Sequence, residues 1–144
     1  MSLTVQSSRF GTLAVEDAAV IEFASGLIGL GGHRWAIVGS DPEGPFQWLH
    51  SLDDPDLALP VTDPFRFFSD YAVELSDADS TRVGGADAAV WVTVRAGSEL
   101  SDFSANLRAP ILVREGQGHQ VINEAQHAPV RAPLFPAAKS VAAA

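Results

Sequence analysis

Apolar and polar residues alternate along much of the chain, which is the pattern of half-buried β-strands. The period of two appears at residues 12–15, 20–23 and 57–61, and it places successive side chains on opposite faces of a strand. Residues 88–94 are apolar on both faces, as expected of a central strand. Gly, Pro and Asp separate these segments at intervals of roughly eight to twelve residues, which is typical of a β-sandwich or small barrel.

Residues 46–50 predict another strand, with Phe46, Trp48 and His50 on one face and Gln47 and Leu49 on the other. Large apolar side chains usually face the core, so we expect Gln47 to be less buried than Phe46 and Trp48.

Turn residues suggest how two further strands are placed. Residues 111–113 and 120–122 predict a hairpin closed by residues 114–118.

Pro60 has no amide hydrogen to donate, so its strand is expected to lie at a sheet edge or to contain a bulge.

One helix is predicted near residues 76–83. Ser76 is placed to cap its first turn, Asp79 occupies the capping-box position three residues later, and Gly84 and Gly85 end it. The predicted fold class is therefore mainly β. We expect a small antiparallel β-barrel-like or sandwich domain over residues 1–135 with this short helix, followed by a frayed Ala-rich tail at residues 136–144.

Composition narrows the function classes. The 144 residues contain no cysteine, which excludes disulfides, thiolate metal sites and cysteine nucleophiles. The first residues of the sequence lack the basic flank and the following apolar segment of a secretory leader. No apolar run approaches the roughly 20 residues of a membrane span. We expect a cytoplasmic protein that is monomeric when free.

The charge is negative and unevenly distributed. The net charge is −9, and residues 41–79 contain ten acidic residues against one basic residue, Arg66. Direct binding to nucleic acid is not expected, because phosphate contacts need clustered Lys and Arg. A concentrated acidic surface suits a basic protein partner instead.

Three Asp-Pro pairs, at 41–42, 54–55 and 63–64, predict turns. Asp53, Asp54 and Asp56 place three carboxylates in four positions. Asp54 precedes Pro55 and is expected to shape the turn, whereas Asp53 and Asp56 are expected to face a partner. On this hypothesis, replacing Asp53 and Asp56 together with Asn leaves the melting temperature nearly unchanged.

No arrangement of residues indicates a cofactor, a metal or a catalytic site, and a binding module is favoured over an enzyme. The spacing Asp77-Asp79-Thr81 resembles the start of a calcium loop, but the required Gly and Glu are replaced by Arg82 and Ala88. Two alternatives stay open. One is a ligand-binding barrel with Trp35, Trp48 and Trp91 around a pocket, and the other is a hydrolase that uses Ser51 and His50.

Several segments, in their order and spacing from about Gly11 to Leu134, together resemble the FliW family of flagellar assembly factors. The first are Ile21-Glu22-Phe23-Ala24-Ser25-Gly26-Leu27-Ile28-Gly29-Leu30 and Pro45-Phe46-Gln47-Trp48-Leu49-His50-Ser51-Leu52-Asp53-Asp54-Pro55-Asp56-Leu57. The others are Asp63-Pro64-Phe65, Phe67-Phe68, Asp70-Tyr71, Glu74-Leu75-Ser76-Asp77, Ala105-Asn106-Leu107-Arg108-Ala109-Pro110-Ile111 and Gly118-His119-Gln120-Val121-Ile122.

The resemblance implies a β-barrel-like protein with two protein partners. It implies binding to flagellin in the cytoplasm and to the translational repressor CsrA, whose repression of flagellin mRNA the protein would relieve. Neither a cofactor nor a membrane is implied. The candidate partner-binding residues are Asp53, Asp54, Asp56, Phe65, Asp70, Tyr71, Asn106, Leu107 and Pro110.

Within that set, Asn106 has two interpretations. Its side chain is expected to close a turn after a strand, and Pro110 is expected to block pairing at the start of the next strand. A direct contact with a partner is the alternative.

Overall fold

The computed structural model describes residues 2–24, 27, 33–39, 44–84, 88–125 and 128–135. The predicted tail at 136–144, the first Asp-Pro pair and most of the Gly-rich segment at 26–32 lie outside the described residues.

The described chain is built mainly of short strands. The first six strands are β1 (Ser2–Ser7), β2 (Gly11–Glu16), β3 (Ile21–Glu22), β4 (Arg34–Val38), β5 (Phe46–Ser51) and β6 (Ala58–Thr62). After the helix α1 (Asp77–Val83) come β7 (Ala89–Arg95), β8 (Ser104–Ala105), β9 (Ile111–Arg114), β10 (Gln117–Gln120) and β11 (Ala132–Pro133). Short 3₁₀ turns lie at Asp17–Ala19, Pro64–Arg66 and Leu100–Asp102.

Seven strands close into a barrel, which confirms the predicted fold class. Their order is β7-β6-β5-β4-β3-β10-β9, and β9 pairs with β7 to complete the ring. Neighbouring barrel strands are antiparallel except β10 and β3, which run parallel. The second half of β7 also pairs with β8, and β8 pairs with β11, so a short outer layer extends from the barrel.

Buried apolar side chains of the described residues form three clusters. The cluster inside the barrel consists of Ile21, Phe23, Leu27, Trp35, Leu49, Val61 and Ile111. A second lies against β7, β8 and β11 and includes Tyr71, Val92, Val94, Ala105, Leu107, Ala128, Ala132 and Leu134. A third joins α1 to the barrel through Val83, Leu112 and Val121.

The helix forms as predicted. The Ser76 hydroxyl accepts a hydrogen bond from the Asp79 amide at 3.2 Å. Gly84 ends the helix with φ of 85°, a left-handed conformation that glycine adopts without a Cβ clash. Only Val83 of this two-turn helix is buried, so its position depends on packing against the barrel.

The β9–β10 hairpin is tighter than predicted. Arg114 pairs with Gln117 across a two-residue turn, in which Glu115 and Gly116 have φ of 54° and 78°. Positive φ at both central residues is the type I′ geometry, which matches the twist of the paired strands. The second strand therefore begins at Gln117 instead of residue 120, and the prediction of a five-residue connection was wrong.

The predicted orientation of β5 was also wrong. Gln47 is 6% exposed and Leu49 is 1% exposed, whereas Phe46 and Trp48 are only half-buried. Leu49 faces the barrel interior, so the alternation of the strand turns Gln47 inward on the same side. There its amide nitrogen donates to the Gly44 carbonyl at 3.3 Å.

Pro60 lies where β6 has a neighbour on one side. It pairs with Trp48 of β5, but pairing of β6 with β7 begins only at Val61. The strand is internal, so the expectation of an edge strand or a bulge was wrong. Pro60 is tolerated because β6 is not paired with β7 at that position. Strand β1, which had no prediction, pairs with β2 over its full length.

We expect Gly118→Ala to destabilise the barrel. A Cβ at Gly118 would overlap the ring of Phe23, which is fully buried and cannot move aside. Overpacking of this kind costs about 1–3 kcal/mol, and urea unfolding measures it. Gln117→Ala, at the exposed neighbouring position, is the control and should stay within about 0.5 kcal/mol of wild type. Equal stability of the two variants would contradict the assignment.

Candidate partner-binding site

The acidic turn at Asp53–Asp56 has its own partners inside the protein. The Asp53 carboxylate accepts from the backbone amides of His33 and Arg34, each at 3.2 Å, and pairs with the Arg34 guanidinium at 3.1 Å. Burial raises the pKa of Asp53, but these two amides and the guanidinium outweigh it and hold the pKa below its ordinary value. The carboxylate therefore joins this turn to the start of β4.

Asp54 and Asp56 complete the same turn. Asp54 accepts from the Asp56 amide at 2.9 Å, which is the predicted turn-shaping role. The Asp56 carboxylate accepts from the Ser8 hydroxyl of the β1–β2 hairpin. Asp53 and Asp56 are exposed, as a partner contact requires, but both also hold other segments of the protein. An unchanged melting temperature for the double Asn variant therefore no longer follows. Their contact with a partner stays a prediction.

The tip of the β1–β2 hairpin packs onto this region of the barrel. The Ser8 amide donates to the Pro55 carbonyl at 3.0 Å. The Arg9 guanidinium lies 4.3 Å from the centre of the Trp48 ring, and the Phe10 ring meets Trp48 edge-on at 5.9 Å. Cation–π and aromatic contacts thus hold the hairpin against the outside of β5.

His50, on the same outer face of β5 as Trp48, connects the hairpin to the barrel beneath the hairpin tip. The residue is fully buried, with Nδ1 2.7 Å from the Ser51 carbonyl and Nε2 2.7 Å from the Ser7 hydroxyl. A carbonyl can only accept, so Nδ1 donates to Ser51, and Nε2 shares the second hydrogen bond with the Ser7 hydroxyl. The Ser7 oxygen in turn accepts from the amides of Arg9 and Phe10, which closes the hairpin loop.

These contacts remove the basis for the hydrolase alternative. Ser51 Oγ accepts from the amides of Asp53 and Asp54 at 3.1 and 3.0 Å and so supports the acidic turn. The Nε2 of His50 faces Ser7 instead of Ser51. The pair named by the sequence is therefore not arranged as a nucleophile and its base.

The three tryptophans do not surround a common pocket. Trp35 is fully buried in the interior cluster, and Trp48 is covered by the hairpin tip. Trp91 is half-buried and lines surface grooves. The ligand-binding alternative consequently loses the arrangement on which it depended.

A second group of predicted residues does converge. The Tyr71 hydroxyl donates to the Leu107 carbonyl at 2.9 Å, and the Phe65 ring lies 5.7 Å from the Tyr71 ring. Tyr71 and Leu107 are 9% and 4% exposed and belong to the second apolar cluster, whereas Phe65 is 50% exposed. Burial raises the pKa of the Tyr71 hydroxyl, although a hydrogen bond from Asn123 opposes the shift.

Asn123 organises this group, a role that the sequence did not predict. Its amide nitrogen donates to the Ala72 carbonyl at 2.9 Å and to the Tyr71 hydroxyl at 3.2 Å. Its side-chain oxygen accepts from the amides of Glu74 and Ala125. A polar residue directly after two apolar ones, Val121 and Ile122, was the available signal, but it does not distinguish a buried hub from a surface loop.

Asn106 closes the predicted turn. Its side-chain oxygen accepts from the amides of Arg108 and Ala109 at 3.0 and 3.2 Å. Pro110 is fully buried immediately before β9 begins at Ile111. Turn closure by Asn106 is therefore confirmed, and the burial of Tyr71, Leu107 and Pro110 gives their side chains a structural part. A partner contact by any of them stays a prediction.

Phe65 presents an apolar surface at a groove. Asp63 accepts from the Phe65 amide at 2.9 Å and starts the 3₁₀ turn that turns Phe65 outward. The adjoining groove has a volume of about 330 Å³, and Val90 and Trp91 of β7 help to line it. Asp70, five residues after Phe65, is exposed. We call Phe65, Asp70 and this groove the Phe65 patch.

The described residues form neither a metal site nor a membrane-spanning helix. No three His, Asp or Glu side chains within them converge in a way that could hold a metal ion. None of the helices formed by these residues is long and apolar enough to span a membrane.

Sequence comparison places the chain in a family. Residues 4–134 match the family model described as FliW protein. A flagellar assembly factor FliW from Geobacter sulfurreducens is 30% identical over 138 residues, which cover 92% of this chain and 87% of that protein. One from Desulfitobacterium hafniense is 31% identical over 144 residues, with 96% and 95% covered.

Structure comparison agrees. A crystal structure of the flagellar assembly factor FliW superposes with a TM-score of 0.83 at 25% sequence identity, and the match covers 93% of this chain and 98% of that one. The chain belongs to the FliW family of flagellar assembly factors.

The Asn123 hub should be more important to stability than the Tyr71 hydroxyl. Asn123→Ala leaves three partly buried backbone groups, of Ala72, Glu74 and Ala125, without this partner, so we expect a loss of about 3 kcal/mol in the free energy of unfolding. Tyr71→Phe removes one hydroxyl while Asn123 stays near the Leu107 carbonyl, at 3.4 Å, and should cost about 1 kcal/mol. Urea unfolding measures the loss of stability in both variants, with exposed Glu124→Ala as control. A larger loss in Tyr71→Phe than in Asn123→Ala would contradict the central role of Asn123.

His119 should make stability decrease in mild acid. Burial in β10 lowers its pKa, nearby Arg82 lowers it further, and Asp79 partly opposes them. The unfolded chain therefore takes up this proton more readily than the folded protein, and stability falls as pH drops below about 6.5 and through the folded pKa. Urea midpoints at pH 7.5 and 5.5 should differ less in His119→Gln than in wild type. An unchanged difference would show that His119 is not the group responsible.

Proposed function

We propose that this protein binds flagellin in the cytoplasm and also binds the translational repressor CsrA, relieving its repression of flagellin mRNA translation. Family membership supports a role in flagellar assembly through protein partners. The contacts of His50, Ser51, Trp35 and Trp48 support a binding role over catalysis or small-ligand binding, because these side chains are used to hold the fold.

The observation that carries the CsrA part is that the exposed residues of the Phe65 patch, Phe65 and Asp70, belong to the acidic segment 41–79. An RNA-binding repressor must present basic surface to phosphate. The acidic turn is largely satisfied internally, so outward charge must come from other carboxylates. Asp70 and Glu74 are exposed, and no hydrogen bond or ion pair of their carboxylates involves a described residue.

An apolar anchor among charges is a common arrangement at a protein interface. A half-exposed aromatic ring beside a groove can supply most of the binding energy, while surrounding carboxylates steer a basic partner and increase its association rate. Phe65 is held from behind by Tyr71, so little side-chain freedom would be lost on binding.

Binding of purified CsrA to the patch can be measured by calorimetry and stopped-flow kinetics. Phe65→Ser should weaken affinity about tenfold or more by faster dissociation. Asp70→Asn should chiefly slow association and reduce its dependence on salt. The matched controls are Ile122→Ser, which alters another exposed apolar side chain, and Asp17→Asn, which alters an exposed carboxylate outside the acidic segment.

Each part of the proposal has its own contradicting result. Wild-type affinity for CsrA in both patch variants would exclude the patch as the contact. No binding of wild-type protein to CsrA, or to purified flagellin, would exclude that partner. Ester turnover lost in Ser51→Ala, or a small molecule that co-purifies with the protein, would instead support the two alternatives.

A further inference from the structure

A donor-rich groove lies on the outer face of the β7–β8–β11 layer, away from the Phe65 patch. Its volume is about 230 Å³, and no residue in the described ranges lines both this groove and the groove beside Phe65. The lining residues are Thr93, Val94, Arg95, Ser104, Asn106, Val130 and Arg131.

Strand register explains why these polar residues share one face. Arg95 pairs with Ser104, and Ala105, the next residue of β8, pairs with both Val94 and Ala132. Val94, Ala105 and Ala132 are buried against the second apolar cluster. Side chains alternate along each strand, so the flanking residues Thr93, Arg95, Ser104, Asn106 and Arg131 project from the opposite face.

The two arginines in this groove have no partner within the described part of the chain. Neither the Arg95 nor the Arg131 guanidinium forms a hydrogen bond or ion pair there, and both are exposed. Ordinary strand spacing separates their Cα atoms by about 12 Å, a distance that two arginine side chains can close over one small anion. None of the described residues that line the groove carries a carboxylate.

The neighbouring groups can add further contacts. Ser104 and Thr93 contribute hydroxyls, and the amide nitrogen of Asn106 has no acceptor among the described residues, since only its oxygen is used in the turn. Val130, 59% exposed, gives the groove an apolar rim. The groove therefore combines several hydrogen-bond donors with one exposed apolar side chain.

We infer that this groove docks an acidic segment of a protein partner, with one Asp or Glu carboxylate held between Arg95 and Arg131 and an apolar side chain on Val130. Planar guanidinium groups bind carboxylates through paired hydrogen bonds. A nucleic acid fits less well, because the net charge of −9 repels a long polyanion whereas a short segment carries only local charge. This inference goes beyond the proposed function and does not depend on the partner being flagellin or CsrA.

The test uses the peptide acetyl-Gly-Glu-Leu-Gly-amide as probe, with acetyl-Gly-Gln-Leu-Gly-amide and inorganic phosphate as comparisons. NMR titration follows the side-chain Nε–Hε signals of the arginines. We expect a saturable shift at Arg95 and Arg131 with the Glu peptide, at affinities near the millimolar range. Arg95→Gln and Arg131→Gln should each weaken binding at least fivefold, whereas Arg9→Gln, the same change at the hairpin tip, should not.

Several results would overturn the inference. Equal binding of the Gln peptide would show that the carboxylate is not recognised, and tighter binding of phosphate would assign the groove to phosphate groups. No saturable shift up to about 20 mM Glu peptide would exclude the site. Wild-type affinity in the Arg95 and Arg131 variants, or an equal loss in Arg9→Gln, would move the binding elsewhere. Melting temperatures near that of wild type establish that the variants are folded.

Discussion

Pairing of β7 with β9 is the constraint on which the rest of this structure depends. The first half of β7 closes the barrel through Ala89–Trp91, and its second half carries β8 and, through β8, β11. Closure removes free strand edges from the ring and encloses the cluster around Trp35 and Leu49. The outer layer exists only because β7 continues past the point of closure.

Two buried polar residues then hold in place the segments that apolar burial alone would leave free to shift. His50 joins the β1–β2 hairpin to the barrel through Ser7, and Asn123 joins the segment after Tyr71 to the loop at Leu107. Directional hydrogen bonds specify one arrangement where nonpolar contacts would tolerate several. The surface around Phe65 is consequently presented on a fixed framework.

Some charged side chains of this protein hold its segments together, and others are exposed at its surface. Asp53 and Asp56 hold the acidic turn to β4 and to the hairpin, so their charge acts mainly within the protein. Asp70 lies exposed in the Phe65 patch, and Arg95 and Arg131 place positive charge in a separate groove. Surfaces that differ in sign and in residues allow a small domain to recognise chemically different partner segments.

The sequence by itself determined the local features and the family. The Ser76 cap, the Asp54 and Asn106 turns and the mainly β class follow from contacts within about four residues or from strand periodicity. The face of Gln47, the internal partners of Asp53 and the hub at Asn123 could not be predicted. Asp53 meets Arg34 across 19 positions and Asn123 meets Tyr71 across 52. Such contacts arise only when barrel closure fixes the register of distant strands, so tertiary structure alone decided them.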